Sequence, residues 1–311
     1  MKKLVDDRGI DEYAGCRDVY EKAKQLLNEL GDARAYLEGH KLGTEWLRLE
    51  KGKEFEETEK AIDKALEQRL EVSGKYSRSK RILNAIETNI GKIGSLYRPY
   101  AGYDGCFLGG NAAIAAAYAK IGNMGKAQEI FSSIEAKFPK KGELYLSRTF
   151  VNEISFEDTA IMAFLNVSLG NKDKAVCILR SLAEESKIHE KPLNEYVFPN
   201  IMILTATVDI NFSVDIGQAL VIIEKEAVSK TSGLYRAYFK GEQVNTSENA
   251  AMAILYYAAK QTANASKLLS LIEKSIPTQG DLFSHGLNSL DPTLMPNALM
   301  AVAYAMQDDA R

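Results

Sequence analysis

Asn111 to Ile121 reads NAAIAAAYAKI, and shortly after it Lys126 to Lys137 reads KAQEIFSSIEAK. The first segment is apolar nearly all round, the mark of a helix enclosed on every side. The second is apolar along one stripe only, the mark of a helix with one face in water. The pairing recurs: Asn249 to Lys260 (NAAMAILYYAAK) is again apolar on all faces and again precedes a charged amphipathic segment. Strand signals are scarce. All seven prolines lie after residue 98, and none interrupts a stretch of helical periodicity. The pattern predicts an all-α chain in which buried and half-exposed helices alternate.

The alternation is a repeat. Before each buried segment stands an aromatic residue, usually two or three positions after a glycine: Gly43/Trp46, Gly94/Tyr97, Gly142/Tyr145, Tyr196 (without a glycine), Gly233/Tyr235 and Gly280/Phe283. Fourteen residues beyond the aromatic comes Asn111, Thr159, Asn249 or Asn297, each followed by alanine, and Lys60-Ala61 holds the same offset from Trp46. Tyr196 departs from the rule, with Asn200 only four residues on. The phrases SLYRPY (95–100) and GLYRAY (233–238) match the second unit to the fifth. Gly122-x4-Ala127 and Gly170-x4-Ala175 mark the turn from buried to half-exposed helix. The period of roughly 48 residues sets the chain apart from tetratricopeptide repeats, which run near 34.

Six buried helices are thus predicted, beginning near residues 59, 111, 159, 200, 249 and 297. Half-exposed helices follow the first five, near 78–91, 124–137, 172–187, 215–230 and 264–276. The charged stretch 11–40 is expected to supply an outer partner for the unpaired last helix. Twelve helices would then close into an (α/α)6 toroid of six hairpins, one domain spanning residues 1–311, with no exposed solenoid ends to cap.

Composition narrows the function. Lys plus Arg number 39 against 42 Asp plus Glu, a net charge of −3. That balance argues against a nucleic-acid binder, which carries a basic excess. No apolar window long enough for a membrane span occurs, and the N-terminal MKKLVDDRGIDEY has acids where a signal peptide needs an apolar run. Three scattered cysteines suit a reducing, cytoplasmic setting. The expected partner is a small-molecule or oligosaccharide ligand, with no nucleic acid, no membrane and no cofactor.

In a toroid the long connections and the N-termini of the inner helices gather at one end. Unpaired N–H groups there favour anionic or polyhydroxyl ligands. The residues expected around such a cleft are the aromatics Trp46, Tyr97, Tyr145, Tyr196, Tyr235 and Phe283, with Tyr100, Tyr103 and Tyr238 beside them. Arg98, Arg236 and His285 are the candidate cations, and Asn111 and Asn249 the candidate amides. Asp158 and Glu248 lead as general acid and base because each precedes a predicted inner-helix start, with Asp104 as a further candidate and Glu157, Glu59 and Asp291 nearby. Two inner helices apart, the carboxyls of Asp158 and Glu248 are expected roughly 6–10 Å from each other, the separation of a water-activating, inverting glycosidase. Helix capping and loop stapling are the competing readings of these acids and aromatics.

The hairpin count, the Gly-x-x-aromatic loops and the helix start SENAA (Ser247–Ala251) resemble the six-hairpin glycosidases and related sugar-active toroids, among them unsaturated glucuronyl hydrolases, sugar 2-epimerases and alginate-type lyases. The resemblance spans the whole chain and implies a glycoside hydrolase-like activity on a sugar, including an anionic one, with lyase or epimerase chemistry as alternatives. It brings no family-specific catalytic signature, so it assigns no individual role. A helical-repeat scaffold without chemistry is the other class. YDGCF (103–107) and GDLFSH (280–285) also resemble segments of protein prenyltransferase β-subunits. Asp158 and Glu248 stand where that family needs a histidine, so no zinc site is expected.

Overall fold

The computed structural model describes residues 76–146, 153–188, 196–210, 216–287, 289 and 291–310. The chain divides into two compact units, residues 1–77 and 78–311, and nearly all of the described residues belong to the second. The expected outer helix at 11–40, the inner helix near 59, Trp46 and Glu59 lie outside the described residues.

Ten helices make up the described residues: α1 (Ser77–Asn89), α2 (Leu108–Lys120), α3 (Met124–Lys137), α4 (Phe156–Ser168), α5 (Lys172–Ile188), α6 (Val197–Ile210), α7 (Ile216–Ala227), α8 (Thr246–Ala258), α9 (Thr262–Ser275) and α10 (Leu294–Asp309). The even-numbered helices are the apolar ones, and α2 is buried from Leu108 through Tyr118. Each packs on the next, α2 on α4, α4 on α6, α6 on α8, α8 on α10, and α10 packs back on α2. Odd-numbered, amphipathic helices lie outside them. The fold is the expected all-α toroid.

The ring of described residues closes over five inner helices. Within the described residues α10 and α2 are in direct contact. Gly109 and Gly110, at the start of α2, permit that approach. A Cβ on Gly110 would stand 2.9 Å from Leu294 Cδ2 of α10. The outer place beside α10 is taken by α1: Ser79 Oγ donates to Ala301 O at 2.7 Å, and the Arg78 guanidinium lies 4.4 Å from the centre of the Tyr304 ring.

Two local devices carry the repeat. The first is the turn from inner to outer helix. Gly122 (φ +85°) follows α2, its N–H bonds Ala119 O, and the Asn123 N–H bonds Tyr118 O at 2.8 Å. This is the Schellman arrangement, which needs a left-handed residue after the helix. Gly170 repeats it after α4, and Lys260, at φ +60°, repeats it after α8 without a glycine. The second device is a minimal antiparallel hairpin between an outer helix and the next inner one. Lys92–Ile93 pairs with Leu96–Tyr97, Lys140–Lys141 with Leu144–Tyr145, and Thr278–Gln279 with Leu282–Phe283. These six strands, β1 to β6, are two residues each. The Gly-x-x-aromatic motif is this hairpin.

Candidate functional site

All five inner helices begin three residues before the positions expected from the sequence, so Asn111, Thr159, Asn200, Asn249 and Asn297 lie inside the first turn. Their side chains clip the preceding aromatic. Asn249 Oδ1 accepts from the Tyr235 N–H at 2.7 Å while its Nδ2 donates to Tyr235 O and Asn245 O at 2.9 and 2.8 Å. Asn111 does the same with Tyr97 and Phe107, and Asn297 with Phe283 and Thr293. Thr159 Oγ1 accepts from the Tyr145 N–H at 3.0 Å. The fourteen-residue offset is the span of this clip. Asn111 and Asn249 are fully buried, so the expectation that they bind hydroxyls of a ligand gives way to a structural role.

The aromatics that they clip turn between the layers rather than into a cleft. Tyr97 and Tyr145 are buried, their hydroxyls donating to Glu87 on α1 and Glu135 on α3. Tyr118 on α2 donates to the same Glu87 at 2.6 Å, and Tyr256 on α8 to Glu224 on α7 at 2.6 Å, with Tyr235 sharing a hydrogen bond of 2.7 Å with Tyr256. Phe283 is buried at the corresponding place. Burial alone would raise the Glu87 carboxyl, but hydrogen bonds from Lys126, Lys92, Tyr118 and Tyr97 outweigh it and bring the pKa down to about 2. The loop tyrosines therefore hold the two helical layers together.

The arginines are similarly committed. The Arg98 guanidinium donates to Tyr103 O, and Arg236 donates to Ala227 O at 3.3 Å, to Gly241 O at 2.8 Å and to Glu226 O. Both brace long loops. Asp104, paired with Arg98 at 3.8 Å, has a side chain 98% exposed and stands in open solvent, which removes the enclosure a proton donor needs. Tyr196 is half-exposed and packs against Tyr238 with the rings tilted by 55°, ring centres 5.2 Å apart.

A cleft of about 440 Å³ opens over the N-termini of α2, α4 and α10. Leu108, Gly109 and Gly110 form one wall, Ser155, Glu157 and Asp158 a second, and Thr293 to Pro296 a third. Pro99, Tyr100 and Phe107 make an aromatic rim, and His285 completes it. Of the residues expected around the cleft, Tyr100, Glu157, Asp158 and His285 line this one.

The first turn of α4 explains why acids sit here. Ser155 is the N-cap, its Oγ accepting from the Asp158 N–H at 3.2 Å, and its own N–H bonds Tyr145 O at 2.9 Å. The serine hydroxyl thus caps one of the free N–H groups of the helix start. Asp158 Oδ1 lies against α2, 3.1 Å from where a Cβ on Gly109 would stand. Glu157, adjacent, lines the same cleft with its side chain exposed to the water there. Enclosure, then the charges of Asp158 and Glu248, raise its pKa to about 7. A helix start at Thr159, as the sequence suggests, leaves Glu157 outside the helix and hides this role. The signal that marks it is the pair of adjacent acids two and three residues after a serine.

Glu248 takes another part. It is 6% exposed, outside the cleft lining, and accepts from Ser247 Oγ at 2.8 Å, from its own N–H and from the Asn245 side chain. Burial raises its pKa, and those donors and His285 pull it down. Asn245 and Glu248 stand three apart at the start of α8, joined side chain to side chain. Asp158 and Glu248, expected as an acid/base pair across the ring, do not share the cleft: Asp158 lines it and Glu248 does not. His285 is clamped above α8: its carbonyl accepts from the Thr246 N–H at 2.8 Å, and Asn245 and Gly286 form a β-bridge. Its Nδ1 lies 3.4 Å from Thr293 Oγ1.

Among the described residues no group of three His, Cys, Asp or Glu could hold a metal ion, and no helix is long and apolar enough to cross a membrane.

No family model and no curated protein matches the chain. Solved structures do. An alpha-amylase from Clostridium perfringens is similar with a TM-score of 0.48 at 13% identity, covering 75% of this chain and 98% of its own. A GH76 alpha-mannanase from Bacteroides thetaiotaomicron gives 0.45 at 9% identity, covering 76% and 96%. A polysaccharide lyase gives 0.42 at 9% identity, covering 78% and 98%. The likeness is one of fold.

Proposed function

We propose that this protein is a carbohydrate-active enzyme, a glycoside hydrolase-like toroid whose reacting groups are Glu157 and Asp158. One observation carries the reading: two adjacent carboxyls, Glu157 and Asp158, line one cleft over the N-termini of three inner helices. Proximity separates their ionisations, so that one serves as acid while the other stays charged. Glu157 donates a proton to the leaving glycosidic oxygen. Asp158, favoured as an anion by the N-terminus of α4, stabilises the positive charge developing on the sugar or takes a proton from the attacking water. The aromatic rim of Tyr100 and Phe107 offers apolar faces to sugar rings. Three rings follow one another there, Tyr100–Tyr103 at 5.1 Å and Tyr103–Phe107 at 5.3 Å between centres. The test is release of reducing ends from soluble starch and from mannan by the purified protein, beside its Glu157→Gln variant. Turnover by the wild type with at least ~100-fold loss in the variant is expected. Equal activity in both would remove Glu157 from the reaction.

A further inference from the structure

The acids stand on α4, and the two inner helices packed on α4 are α2 and α6. The residue immediately before α2 is Phe107, and the residue immediately before α6 is Tyr196. Both are aromatic and about half exposed, 46% and 52%. Each belongs to an aromatic group: Phe107 to the row with Tyr103 and Tyr100, and Tyr196 to a pair with Tyr238, itself 37% exposed. The repeat aromatics Tyr97, Tyr145, Tyr235 and Phe283 are buried, whereas Phe107 and Tyr196 each stand at the residue immediately before an inner helix and face water. Large exposed aromatic surface costs hydration and is retained where a partner covers it.

Charge decides what kind of ligand fits. Among the described residues the cleft is lined by two carboxyls and one imidazole, and by no lysine or arginine. Arg98 and Arg236, the cations that a uronate would need, are turned onto backbone carbonyls. Among the described lining residues, a polyanion would meet the carboxyls of Glu157 and Asp158 with no lysine or arginine beside them.

We infer that the substrate is a neutral glycan chain that runs across the ring end from the Phe107 platform to the Tyr196–Tyr238 platform, with the reacting bond over α4. With interaxial spacings of 8–10 Å around a five-membered ring, α2 and α6 lie roughly 15 Å apart. A disaccharide does not bridge that span, and an oligosaccharide does. The inference rests on the reading of Glu157 and Asp158 as the reacting pair, and it places Tyr196 and Tyr238 in ligand binding rather than in chemistry.

The experiment reads binding, so that its failure is separate from a failure of turnover. The full chain is run in native gels cast with soluble starch, mannan or polygalacturonate. Retardation by a neutral polymer and none by polygalacturonate is expected. The Tyr196→Ala/Tyr238→Ala double variant should weaken that binding about tenfold, the scale of a lost aromatic contact. The matching Tyr196→Phe/Tyr238→Phe variant, which keeps both rings, should bind as the wild type does. Affinity for the corresponding disaccharide should change less than about twofold in either variant. Retardation by polygalacturonate, no retardation by either neutral polymer, or undiminished chain binding in the alanine variant would each overturn the inference.

Discussion

Glu157 and Glu87 show one side-chain type driven in opposite directions by surroundings within one molecule. Glu157 has walls and like charges about it, and its pKa rises to about 7; Glu87 has four donors, and its pKa falls to about 2. The consequences for stability carry opposite signs. The folded state holds the Glu157 proton more tightly than the unfolded chain does, so this group favours folding below the ordinary carboxylate range and loses that contribution as pH rises to about 7. Glu87 favours folding above that range and loses its contribution as pH falls towards about 2. Thermal midpoints measured against pH should therefore fall more steeply below about pH 4.5 in the wild type than in Glu87→Gln. For activity, the acid form of Glu157 is the working one, and the rate should decline as pH rises through about 7. Asp158→Asn removes one of the charges that raise Glu157. A carbon-13 titration of the Glu157 carboxyl should then show a lower pKa, still above the ordinary value because enclosure is the larger cause. An unchanged value would mean that the two carboxyls do not sense each other.

At the scale of the element, the clip between a first-turn amide and an aromatic backbone joins each long loop to the helix it precedes. Asn249 satisfies the N–H and C=O of Tyr235, both of which are buried. Asn249→Ala strands these two groups, and the expected loss is about 3 kcal/mol in chemical denaturation. Lys260 gives a test in the stabilising direction. It occupies, at φ +60°, the place that Gly122 and Gly170 hold in the equivalent turns. Lys260→Gly relieves a left-handed L-residue and should raise stability by about 0.5–1 kcal/mol, net of the added freedom of the unfolded chain. A loss of stability would show that the lysine side chain does something that the turn geometry does not require.

For the ring as a whole, closure depends on the contact of α10 with α2. Gly110 meets Leu294 there without room for a methyl group. Gly110→Ala should cost about 1–3 kcal/mol by overpacking. Combining it with Leu294→Ala should recover part of that loss, a non-additivity read directly by a double-mutant cycle. The same contact forms one wall of the cleft, so Gly110→Ala should also weaken glycan binding. Simple additivity of the two substitutions would place the glycine outside the interface.

The alternation of helices, their approximate ends and the period of the repeat were determined by the sequence, because each depends on chemistry within one turn or one hairpin. All-round apolarity buries a helix wherever it sits, and a glycine two or three residues before an aromatic builds the same small hairpin each time. The three-residue difference in the helix starts was also local, since an asparagine inside the first turn looks like a cap until its partner strand is seen. What tertiary structure decided was orientation and closure. Tyr97 and Tyr145 belong to the same sequence pattern as residues of a ligand cleft, but only the placement of Glu87 and Glu135 on outer helices turns them away from it. Asp158 and Glu248 both lie at helix starts, yet one faces a cleft and the other is enclosed by its own helix end. A repeat states what each unit contains and not how the units meet; among the described residues, the approach of α2 to α10 is a matter of packing at Gly110 and Leu294.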